Sequence, residues 1–183
     1  MNADGPVARL GRIVGGVVRQ ALSDADVTGV RLLDADTPEG ALAGAWLREA
    51  LGDGRVFTGA VEARVLRAHP ASKTVLLLGE HPDAELLPLG DVWASEVAAL
   101  AGDWSAPDAV RALADAAGDV AVLDRALRRW TEEREPLERA LAELEPALAD
   151  RVAQALERQR WRRWRPGLVP KLTARTLGID LWD

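Results

Sequence analysis

The 183-residue chain contains no cysteine, no tyrosine, one phenylalanine and one methionine. The missing thiols exclude disulfides, thiolate nucleophiles, iron–sulfur clusters and cysteine-based zinc sites together. Histidine is nearly absent too: His69 and His81 each stand beside a proline, with no paired acidic motif close by in sequence. That is a poor metal-ligand set, and each reads as a solvated loop histidine. Lysine is scarce, since two of the 23 basic residues are Lys73 and Lys171 and the rest are arginine. No long apolar run exists either; VLLLG at 75–79 is far too short to span a bilayer. The first 22 residues carry Arg9 and Arg12 among their apolar positions, without a small-residue cleavage site, so a cytoplasmic location without membrane attachment is expected. The net charge of −6 argues against general nucleic-acid binding.

What is present suits a globular chain, with 48% apolar and 28% charged residues. One domain over 1–183 is expected: an α/β part at 1–104, a helical part at 105–164 and an extended basic tail at 165–183. Val7, Leu10, Ile13, Val14, Val17, Val18 and Leu22 recur at helical spacing, which predicts a first helix over 6–22. VRLL at 30–33 has the length of a strand. Thr37-Pro38 is a helix start and Gly52 a stop. Arg55–Phe57 suggests a second short strand, Val61–Ala68 a helix, and KTVLLLG at 73–79 a strand buried on both faces. VWASEVAALAG follows as a helix. Alternating strands and helices imply an open parallel sheet with flanking helices, a Rossmann-like α/β fold. From Pro107 onward only helical patterns occur, divided by Gly118, Pro136 and Pro146.

In such a sheet, ligands bind beyond the carboxyl ends of the strands. Those loops are Asp34–Gly40 and Glu80–Asp91. The first places Asp34, Asp36 and Glu39 where an anion would sit, and Pro38 removes one amide donor. It is either a small acidic metal site or, more plainly, a polar loop capping a helix. Asp91 and Glu96 flank a helix start, where Asp91 could act as a cap and Glu96 face solvent. Seven tryptophans in a chain so poor in other aromatics suggest core or interface packing. RQRWRRWR at 158–165 packs five arginines and two tryptophans into eight positions. Trp161 and Trp164 could stack on a base between arginines, or pack on a partner subunit.

PLGDVWASEVAALA (88–101) resembles a motif of ammonia-dependent NAD synthases that reads roughly P-[IL]-G-D-[LV]-x-K-[ST]-E-V-x-x-L-A. Ala94 stands where that family has lysine. WRRWRPGLVPKLTARTLGID (161–180) is similar to the family's end, with Arg162, Arg163, Pro166, Gly167, Lys171, Arg175 and Gly178 in order. The resemblance implies the adenine nucleotide alpha-hydrolase type of fold, a homodimer, and a nucleotide site at Asp36, Thr37, Glu39, Gly40, Asp91, Glu96, Arg162, Arg163, Lys171 and Arg175. It departs at the pyrophosphatase loop S-G-G-x-D-S, against which this chain sets Ala35, Asp36, Thr37, Pro38, Glu39 and Gly40. The signature G-T-G-N-K-S-E stops after Gly79-Glu80-His81, and the segment between the loops is shorter. The expectation is a degenerate, shortened relative that has lost ATP-dependent amidation, has no catalytic residue to name, and acts as a dimeric binding or scaffolding protein. The alternative is a divergent ATP-dependent amide ligase, with ATP and Mg²⁺ as cofactors, Asp34, Asp36 or Glu39 as metal ligands, and the tail arginines on phosphate.

Overall fold

The computed structural model describes residues 6–79, 82–159 and 169. α1 (Pro6–Ala25) buries Val14, Val18 and Leu22 on one face, the stripe its apolar spacing predicts. It lies along α2 (Pro38–Leu51), where Arg19 donates to the Ala50 carbonyl at 2.9 Å. Between them runs β1 (Gly29–Leu32). α2 starts at the expected position: the Thr37 side chain accepts the Gly40 N–H, Pro38 follows, and Gly52 closes the far end. A short 3₁₀ turn (Asp53–Arg55) leads into β2 (Val56–Phe57), and β3 (Val65–Ala68) comes next in the chain.

The sheet has the order β2-β1-β3, with both pairings parallel and Val30 facing Val56 on one side and Leu66 on the other. An isolated parallel bridge from Ala68 to Leu86 extends the sheet beyond β3. The fold is therefore an open α/β sheet with flanking helices and a helical second half. That half comprises α5 (Asp108–Ala116), α6 (Val120–Thr131), α7 (Leu137–Ala140) and α8 (Pro146–Gln159). Its divisions fall at Gly118, Pro136 and Pro146, as the sequence indicates.

Two elements differ from expectation. Residues 61–68 are not a helix: Val65–Ala68 forms β3 against β1, and Thr28 donates to the Arg64 carbonyl at 3.2 Å. The apolar spacing in VEARVLRA fits a helix, but a vacant edge of β1 offers a ladder that outweighs local periodicity. Residues 73–79 are not a strand: Lys73–Leu78 is the short helix α3, with Leu76 donating to Ser72 O and Gly79 to Val75 O. All six residues are buried, and periodicity cannot separate a continuously apolar strand from a helix buried all round.

α4 (Ala94–Ala101) follows as expected, with Gly102 in the left-handed conformation at its end. Trp46, Trp93 and Trp104 lie in the core of the chain itself. Trp161, Trp164, Trp182 and nearly all of the basic tail lie outside the described residues. Val169 alone is described there, packed against the core beside Gly90. A Cβ on Gly90 would sit 3.1 Å from Leu76, Leu87 and Val169, so the glycine of PLGD permits this close packing. Among the described residues no helix is long and apolar enough to cross a membrane.

Candidate functional site

β1 and β3 lie side by side, yet the chain leaves them in opposite directions. From β1 it runs through α2 to β2 at one edge; from β3 it runs through α3 to Leu86 at the other. The divergence opens a crevice at the carboxyl ends of the two strands, the usual ligand position in an open α/β sheet. A cavity of about 460 Å³ occupies it, lined by Asp34 and Thr37 after β1, His69 and Ser72 after β3, and Glu39 and Ser105 from either side. A second hollow of about 520 Å³ shares Asp34, His69 and Pro82 with the first and adds Arg31, so the two form one groove around His69.

The β1–α2 loop is tied to itself. Thr37 donates to the Asp34 carbonyl through its hydroxyl at 2.8 Å and its amide at 3.2 Å, and the same hydroxyl accepts the Gly40 N–H at 3.0 Å. Asp34 sits at φ 46°, in the left-handed region. Gly40 has to be glycine, because a Cβ there would lie 2.0 Å from the Asp34 carbonyl oxygen and 2.7 Å from Ala35 Cα. The loop is thus a compact helix cap, as its plainer reading anticipates.

The three acids 34, 36 and 39 do not converge. Asp34 turns to His69, with Oδ2 at 2.9 Å from Nε2. Glu39 is buried and accepts from the Ser105 amide at 2.7 Å and hydroxyl at 2.6 Å. Asp36 is exposed and does not line the cavity. Among the described residues no group of three or more metal-ligating side chains is placed to hold an ion. The acids separate because Glu39, at the first turn of α2, faces the segment preceding α5, whereas Asp34 faces β3.

His69 is not the solvated loop residue its isolation suggests. Its Nδ1 accepts the Ala71 N–H at 3.1 Å, which leaves the proton on Nε2 for Asp34. Burial pushes the imidazole below its ordinary value of 6.5, and the Asp34 carboxylate opposes that shift. The ring is neutral near pH 7, so the His69–Asp34 pair keeps a net negative charge. Ser72, also missed in the sequence, is fully buried, and its hydroxyl has no partner among the described residues.

Asp91 and Glu96 belong to a different part of the molecule. Asp91 does not cap α4; Trp93 holds that position. The Asp91 carboxylate is buried against Lys73 Nζ at 3.1 Å, and the same ammonium reaches Glu132 at 3.1 Å and lies 4.9 Å from the centre of the Trp93 ring. Glu96 faces solvent as expected, accepts the Trp93 N–H at 3.1 Å, closing the first turn of α4, and pairs with Arg128 at 2.7 Å. Nearby, the Asp124 carboxylate accepts from Thr74 Oγ1 at 2.6 Å and Ser95 N at 2.7 Å, tying α3, α4 and α6 together. Burial pushes its pKa up, with those hydrogen bonds opposing. PLGD and SEV therefore bind helices to one another. Arg162, Arg163, Lys171 and Arg175 lie outside the described residues.

The sequence matches no protein-family model and none of the curated proteins. Among solved structures the chain is similar to the NH3-dependent NAD synthetase from Campylobacter jejuni subsp. jejuni NCTC 11168, in complex with the nitrate ion. The likeness has a TM-score of 0.63 and spans 90% of this chain and 99% of that one. The two chains share a fold. At 13% identity the relation is one of architecture, and the NAD synthetase fold accounts for the sheet, its flanking helices and the helical second half.

Proposed function

We propose that this protein binds a ligand on an NAD synthetase fold and does not carry out ATP-dependent amidation. The observation that carries the reading is the chemistry of the crevice. The loop in the pyrophosphatase position uses the Thr37 amide and hydroxyl and the Gly40 amide to close on itself. No lysine or arginine is among the described residues lining the first cavity, whereas Asp34 and Glu39 are. A carboxylate about 4 Å from a phosphate contributes roughly 4 kcal/mol of repulsion at an effective dielectric constant near 20. A pyrophosphate site needs converging donors and cations instead. The residues present do not fit ATP or a Mg²⁺ held by Asp34, Asp36 and Glu39, and no step is derived through either.

The homodimer implied by the family resemblance, and a cytoplasmic location, are parts of the same proposal. With Trp46, Trp93 and Trp104 in the core, the dimer rests on the resemblance; sedimentation of the full chain tests it.

A thermal-shift titration with ATP–Mg²⁺ and with deamido-NAD tests the functional reading. No stabilisation by either is expected. Stabilisation by both would favour the divergent ligase, which the fold likeness alone supports.

A further inference from the structure

We propose that the crevice between β1 and β3 takes a small organic cation, recognised through a primary ammonium group seated against Asp34. This rests on the reading that the crevice does not hold a pyrophosphate. The charged side chains among the described residues lining the first cavity are the carboxylates of Asp34 and Glu39. Asp34 meets His69 through Oδ2 and its side chain is 62% exposed, which leaves the carboxylate accessible to a ligand. Because His69 donates a hydrogen bond without carrying a charge, the carboxylate is not neutralised.

Across the cavity, the Ser105 hydroxyl gives its proton to Glu39 and keeps its lone pairs. Glu39 receives two donors, and a carboxylate can accept more than two. Ser72 adds a buried hydroxyl that lines the cavity without any partner among the described residues. A hydroxyl left so is costly, and a ligand donor would satisfy it. An ammonium group has three donors and no acceptor, the inverse of this wall. The volume of about 460 Å³ suits one small molecule.

The test is calorimetric titration of the full chain with putrescine, with 1,4-butanediol as the uncharged control and inorganic pyrophosphate as the anion. Saturable putrescine binding is expected, weakened by at least about tenfold in Asp34→Asn and unchanged in Asp36→Asn, with none for butanediol. Asp36 is an exposed acid of the same loop that does not line the cavity, so it separates a seated ligand from a general attraction to negative charge. Equal weakening in both variants, or no saturation below roughly 10 mM, overturns the proposal. Pyrophosphate binding would overturn this inference and the proposed function together. Silence from both putrescine and pyrophosphate would overturn this inference alone.

Discussion

Removing the ammonium at Lys73 should cost the fold more than deleting any other charge among the described residues. The Lys73 side chain is 1% exposed and Asp91 is 0% exposed, with 3.1 Å between Nζ and the carboxylate. Glu132 shares the same ammonium but is 25% exposed, so water can solvate it once the lysine is gone. Asp91 is sealed from water. Breaking a buried pair at one end costs about 3–5 kcal/mol, because a desolvated charge loses its compensation. For a chain of this size that corresponds to a melting point lower by roughly 6–20 °C. Lys73→Met keeps the aliphatic volume, so little of the loss is cavity.

The assay is reversible urea or thermal unfolding followed by circular dichroism. Lys73→Met/Asp91→Leu, which removes both buried charges, should regain most of the loss. A Lys73→Met protein within about 1 kcal/mol of the parent would refute the reasoning, as would a double variant weaker than the single one. The outcome also bears on PLGD. If Asp91 serves folding, its substitution lowers stability whether or not any ligand is present.

Gly40→Ala forces a Cβ onto the Asp34 carbonyl and should destabilise by about 1–3 kcal/mol, read from the urea midpoint. Ser105→Ala removes one of two hydrogen bonds from buried Glu39 and should lower stability by about 1–3 kcal/mol, again by urea unfolding. For His69 the folded-state pKa lies below 6.5, so the unfolded chain protonates first as pH falls; stability contributed near pH 7 should diminish from about 6.5 downward, and His69→Asn should flatten that slope in melting temperature against pH.

The sequence made the frame legible where signals were local. Thr37-Pro38 and Gly52 bound α2, and Pro136 and Pro146 divide the helical half, because caps and prolines act through adjacent backbone atoms. β3 and α3 were exchanged in character because their environments are set at a distance. Val65–Ala68 becomes a strand only by pairing with β1, and Lys73–Leu78 is buried on every side.

The lining of the candidate crevice was half readable. Asp34, Thr37 and Glu39 do surround the cavity, as expected of a loop at the carboxyl end of a strand. His69 reads in sequence as a solvated loop histidine, and neither Ser72 nor Ser105 is marked there for the crevice, because nothing in sequence links residues 34, 69 and 105. A polar cluster HPAS directly after a strand was the available clue, had β3 been recognised. Asp91 and Glu96 were drawn toward the site by their motif, while the fold uses them to bind α3, α4 and α6.

The most direct measurement is turnover: the purified full chain with ATP, Mg²⁺, deamido-NAD and an ammonium salt, assayed for AMP and pyrophosphate. The account predicts release no faster than in the absence of protein, because the crevice meets phosphate with carboxylates and its loop has closed on its own amides. Steady release of AMP and pyrophosphate in equal amounts, dependent on ammonia, would contradict it.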